Sequence, residues 1–198
     1  SKILRLDKYI YNELLVLDGA LQKAIAIYLA VATLTTLSTF RLFNGLIEFL
    51  ESNLVLFSSE MSDEEFTMFK GLIDELSRIF IQQDSTTTLL FSSIVSTTVT
   101  TLIGLLICFL ILKYLFRKEP RPMDLLVVSF FSSVPGLLVF PVLFISDPLF
   151  QILLVMITSI YSLVAFGSGL KQVYLLRNIE VVLVVLALTF GGSILGSV

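Results

Sequence analysis

Apolar and polar positions along the chain sort into two kinds of pattern. Five long apolar stretches, at about residues 24–41, 88–112, 125–145, 149–170 and 181–197, alternate with charged connectors. Residues 24–40, 85–112 and 125–146 carry no charged side chain at all. A hydrocarbon core about 30 Å thick takes roughly 20 helical residues at about 1.5 Å each, so each stretch is sized to cross a bilayer as a helix. Elsewhere the apolar residues recur three or four apart. Residues 2–21 place Ile3, Leu6, Ile10, Leu14, Leu17 and Leu21 on one face, with Lys2, Arg5, Lys8, Glu13 and Asp18 between them. That spacing predicts an amphipathic helix in a juxtamembrane segment 1–23, lying in the interface with its basic residues near anionic head groups.

Residues 42–84 form a polar insertion between the first two spans, and it too is periodic. Leu46, Ile47, Phe49, Leu50, Leu54 and Phe57 predict a first amphipathic helix, which would be a separate element or a continuation of span one. A second helix opens at Ser62, with Glu65 three residues later in a capping-box pattern, and sets Phe66, Phe69, Ile73, Leu76 and Phe80 on one stripe. The insertion therefore reads as an external helical hairpin. Asp63, Glu64 and Glu65 are adjacent along the helix and point in different directions, which favours a solvated acidic face over a cation site.

Composition sharpens the class. Hydrophobic residues make up 56% of the chain and charged ones 15%, against about 45–50% and 25% in soluble domains, and the mean hydropathy is +0.97. The chain reads as an all-α polytopic membrane protein with five transmembrane helices. The net charge of −3 carries no nucleic-acid signal. Cys108 is alone and histidine is absent, which leaves no disulfide, no cysteine cluster and no imidazole proton shuttle.

Charge in the connectors predicts orientation. Lys2, Arg5, Lys8 and Lys23 precede span one, Lys113, Arg117, Lys118 and Arg121 lie between spans two and three, and Lys171 and Arg177 lie between spans four and five. The opposite side has Arg41, Lys70 and Arg78. The excess puts the N-terminus in the cytoplasm and the C-terminus outside or in a lumen. The basic connector at Lys113, Arg117, Lys118 and Arg121 is then a candidate contact for anionic lipids or cytosolic partners.

Inside the spans the informative residues are small or hydroxylated. Ser92, Ser96, Thr100 and Gly104 recur every four residues in span two, and Ser93, Thr97 and Thr101 do so one position over. Pro135 and Pro141 interrupt span three, with Ser132, Ser133 and Gly136 beside the first. Gly192 and Gly196 make a GxxxG step in span five. Such residues read first as close helix packing and a structural kink, and second as a hydroxylated path with a helix break. No span interior holds Asp, Glu, Lys or Arg, and no nucleophile–base pair, phosphate loop or metal-ligand spacing occurs. An enzyme is not expected, nor is a cofactor or a metal.

The last three spans carry a resemblance. A basic connector, then SFFSSVPGLL approaching Pro135, then FGSGLKQVYLLRN closing span four through Gly169, Leu170, Lys171 and Tyr174, resembles the Yip family of Ypt/Rab-interacting membrane proteins, in its prokaryotic form. The resemblance implies a five-span, non-enzymatic bundle that acts as a scaffold or adaptor in membrane organisation or trafficking, through protein partners or as a homo-oligomer. No DLxGP-like motif is present, so GTPase binding does not carry over. The rival expectation is a transporter, channel or lipid-handling protein with a path lined by Ser92, Ser96, Thr100 and the break at Pro135. A third is a subunit of a larger membrane complex.

Overall fold

A computed structural model of the protein describes residues 9–80 and 86–195, with Ile3 and Asp7 besides. The elements are α1 (Ile10–Leu15), α2 (Ala20–Ser52), α3 (Leu54–Glu60), α4 (Asp63–Phe80), α5 (Thr86–Leu110) with a π-helical turn at Ile111–Leu115, α6 (Pro122–Ser132) running into a 3-10 segment Val134–Leu143, α7 (Pro148–Tyr174) and α8 (Asn178–Leu195). No strand occurs among the described residues. Four helices are long and apolar enough to cross a membrane: Ala20–Ser52, Thr87–Leu115, Pro122–Leu143 and Pro148–Tyr174. The protein is thus an all-helical, multi-pass membrane protein. The fifth apolar stretch lies in α8, Asn178–Leu195, and is not one of these four.

Span three is the middle of the bundle. Its apolar window is 61% buried, against 22%, 11% and 17% for the first, second and fourth spans, so those three turn most of their apolar surface outward, as lipid-facing helices do. α2 and α7 pack on both parts of span three, while α5 and α8 pack on each other and close the remaining side against α2, α6 and α7. Tyr28 on α2 stacks on Phe130 of α6 with ring centroids 4.4 Å apart.

Local chemistry sets the ends. α6 begins at Pro122, and α7 has Pro148 in its first turn behind Asp147, whose Oδ1 accepts from the Leu149 and Phe150 amides at 2.9 and 3.4 Å. The α4 start is a full capping box: Ser62 donates through its amide and hydroxyl to Glu65 Oε2 at 3.0 and 2.7 Å, and the Glu65 amide donates back to Ser62 Oγ at 3.4 Å. Those bonds hold the Glu65 carboxyl below its ordinary value. Leu175 closes α7 in the left-handed conformation at φ 52°.

Two expected boundaries differ. The segment expected as one helix over 2–21 is interrupted: among its described residues Ile10–Leu15 form α1, and Gly19, at φ 68°, stands before a separate helix that starts at Ala20; Lys2, Arg5 and Lys8 lie outside the described residues. Span one and the first helix of the insertion are a single helix of 33 residues, about 50 Å long. Only α3 and α4 form the hairpin, which folds back on the far half of α2; Ile47 and Ile73 are buried and Phe57 meets Phe69 edge to face at 5.3 Å.

A hydroxyl-lined cavity inside the bundle

Span three breaks where its prolines fall. Pro135 has no amide proton to return to the preceding turn, and the chain tightens instead, with the Gly136 amide donating to the Ser133 carbonyl at 2.7 Å. A 3-10 run of ten residues follows, far longer than the usual three or four. Gly136 permits this course, since a Cβ there would stand 2.5 Å from Val31 Cγ1. The break leaves a cavity of about 690 Å³ bounded by α2, α5, span three, α7 and α8.

Twelve of the 22 residues lining the cavity bear a hydroxyl, and none is an Asp, Glu, Lys or Arg. α5 contributes Thr97, Thr100, Thr101 and Gly104; span three contributes Ser129, Ser132, Ser133 and Gly136; α7 contributes Val155, Thr158, Ser159 and Ser162. Each set has the spacing i, i+3, i+4, i+7, one face of a helix. Tyr28 and Thr35 complete the wall from α2 and Thr189 from α8. Thr97, Thr100 and Ser159 are exposed, so the cavity opens to the outside of the bundle.

Six of the twelve hydroxyls already donate their proton within the protein. Thr101, Ser133 and Ser159 donate to the carbonyls of Thr97, Phe130 and Val155 at 2.8, 2.7 and 2.8 Å. A hydroxyl has one proton and two acceptor sites, so these groups present lone pairs to the cavity. The lining is acceptor-rich, uncharged and otherwise apolar.

The N-terminal segment reaches the same wall. Tyr11, 1% exposed, sits between span three and α7. Its hydroxyl donates to the Ala165 carbonyl at 2.9 Å and lies 2.9 Å from Ser132 Oγ, while Ser132 is also 2.6 Å from the Val128 carbonyl. The Tyr11 amide donates to Gln172 Oε1 at 3.3 Å, and Gln172 Nε2 donates to the Asp7 carbonyl at 3.1 Å. Gly169 makes room for the ring: a Cβ there would be 3.0 Å from Tyr11 Cε1 and 2.6 Å from Val128 Cγ1. Far from lying only in the interface, α1 is docked in the bundle. Burial pushes the Tyr11 phenol above its ordinary value, against a smaller opposing effect of the Ser132 contact.

The expected path residues divide. Thr100 and Gly104 line the cavity, and Pro135 is buried at the break beside it. Ser92 and Ser96 are exposed and do not line it: the lining of α5 begins at Thr97 and takes in both strips from there, Thr97 and Thr101 from one and Thr100 and Gly104 from the other. Gly192 lies in α8 and Gly196 lies outside the described residues. Of the basic connector, Lys113 is exposed with its ammonium 5.7 Å from the Phe109 ring, Arg117 takes the left-handed conformation, Arg121 directly precedes α6, and Lys118 donates to the Leu175 carbonyl at 3.4 Å. That last contact joins the two basic connectors at one end of the bundle, where Asp7 and Tyr11 also dock. The lining hydroxyls passed over were Tyr28, Ser129 and Thr189. Three hydroxyls in each i, i+3, i+4, i+7 set of three spans were the signal that would have found the wall.

Fold and cavity together define a multi-pass helical membrane protein with an uncharged, hydroxylated chamber at membrane depth. No family model, curated protein or solved structure matches the chain.

Proposed function

We propose that the protein is a non-enzymatic lipid-handling or transport protein whose chamber receives an uncharged amphiphile bearing a hydrogen-bond donor, such as a lipid alcohol, from the bilayer. The lining carries this reading: twelve hydroxyls around about 690 Å³ without one carboxylate or cation. A volume in the range of about 300–1,000 Å³ suits a ligand of that size. An ionised substrate would find no counter-charge there and would lose its hydration, which disfavours ion-coupled transport. In this reading α8 serves as the fifth span.

The test is extraction of lipid from the purified full-length chain followed by mass spectrometry. One neutral hydroxylated lipid per chain is expected in the wild type, and Ser162→Phe or Thr158→Leu, which fill the chamber, should remove it while Ser96→Leu should not. Equal recovery from all variants would discard the proposal. A scaffold or adaptor of Yip type, with protein partners or a homo-oligomer, remains the second reading. The α3–α4 hairpin favours it by leaving Val55, Leu56, Met68 and Leu72 between 61% and 81% exposed. Crosslinking in native membranes with sizing of the complex tests that reading.

A further inference from the structure

A second cavity, of about 560 Å³, is a groove between α7 and α8 on the outer face of the bundle. Its walls are Leu163, Val164, Gly167, Val181 and Val185, and one end is closed by Lys171 and Asn178. From Lys171 to Ile160 the groove follows eleven helical steps, about 16 Å, or roughly half of a hydrocarbon core about 30 Å thick. It is the depth of one leaflet. Its charge is placed at the head-group end. The Lys171 ammonium donates to the neutral Asn178 Oδ1 at 2.7 Å and pairs with no carboxylate among the described residues. Lys118 reaches the Leu175 carbonyl at the same end, and Glu180 is paired with Arg177 at 3.3 Å.

We propose that this groove is a seat for an anionic phospholipid, with one acyl chain laid along Leu163 to Val185 and the phosphate on the Lys171 ammonium. An apolar trough one leaflet deep ends on an unneutralised cation, and of the molecules in a bilayer an anionic phospholipid matches both parts. The seat shares Leu163 with the chamber wall, its other lining residues are its own, and the proposal does not rest on the chamber's ligand. Gly167 is what allows α8 to approach while the trough stays open beside it, since a Cβ there would stand 2.9 Å from Val181 Cγ1.

Native mass spectrometry of the full chain in a neutral detergent, titrated with phosphatidylglycerol or with phosphatidylcholine of the same acyl chains, reads the seat directly. One ammonium near an anionic head group is worth about fivefold in affinity, so phosphatidylglycerol should bind about that much more tightly. Lys171→Gln should abolish the preference, and Lys171→Arg should keep it. Lys23→Gln, which removes an equal charge from an exposed site in the first turns of α2, should leave it unchanged. Val164→Trp, which fills the trough, should weaken both lipids. The proposal is overturned if Lys171→Gln keeps the preference, if Lys23→Gln loses as much, if Val164→Trp changes nothing, or if glycerol phosphate at matched concentration displaces the lipid.

Discussion

The Tyr11 hydroxyl donates to the Ala165 carbonyl at 2.9 Å across 154 positions of sequence, and so ties the first helix to the C-terminal half of the fourth span. The ring fills the slot opened by Gly169, and the hydroxyl adds a second hydrogen bond to a carbonyl within the continuous helix α7. Tyr11→Phe keeps the ring and removes that bond, which should destabilise the protein by about 0.5–1.5 kcal/mol. Tyr11→Ala also empties the slot and should cost about 3–5 kcal/mol. Thermal unfolding in detergent, followed by circular dichroism, separates the two. Equal effects would mean that the hydroxyl contributes nothing.

Alkaline pH should undo the same contact. The buried phenol holds its proton above the ordinary value of 10.0, whereas the undocked one releases it there. The contribution is therefore complete below pH about 10 and is lost as pH rises through the higher docked value. The stability difference between wild type and Tyr11→Phe should shrink above pH 10, and hydrogen exchange of the α1 amides should accelerate in the wild type over that window. A difference that stays constant to high pH would remove Tyr11 as the titrating group.

Gly136 and Val31 mark a close approach of α2 to the broken span. Gly136→Ala places a methyl group 2.5 Å from Val31 Cγ1, and overpacking of this kind costs about 1–3 kcal/mol. Val31→Ala loses packing on its own, yet in the double variant it should relieve most of the Gly136→Ala penalty. The two effects should thus fall short of additivity by more than about 0.5 kcal/mol in a double-mutant cycle. Simple addition would show that the strain is absorbed elsewhere.

Gln151, fully buried in α7, donates through Nε2 to the Val142 and Ile145 carbonyls at 3.2 and 2.6 Å. It ties off the end of the 3-10 run, where regular helix hydrogen bonding has stopped. Its Oε1 has no partner and stands 3.4 Å from where a Cβ on Gly45 would be. Gln151→Leu preserves the volume and leaves two carbonyls without a donor, so a loss of about 2–4 kcal/mol is expected in the same unfolding assay. A neutral outcome would mean that water replaces the amide.

Much of the architecture was legible because it is local. The charge-free runs, the prolines of span three and the Ser62–Glu65 capping box each act within a few residues, and hydrophobic period alone locates them. Two things were not local. Tyr11 read as one more residue of an amphipathic helix, since nothing in its own neighbourhood announces Gly169 or Ala165. On α5 the path was assigned to Ser92, Ser96 and Thr100, and only Thr100 lines it, because the series Ser92, Ser96, Thr100 and Gly104 and the parallel series Ser93, Thr97 and Thr101 have the same spacing and the cavity takes the later members of both. Only the position of the neighbouring helices decides which stretch of the two faces is used.

The length of α2 has a mechanical consequence. A helix of 33 residues exceeds the hydrocarbon thickness by about 20 Å, and no break separates its half at the chamber wall from its half under the α3–α4 hairpin. A rotation of the helix driven from the hairpin would carry Tyr28, Val31 and Thr35 against Gly136, because no joint lies between them to absorb it.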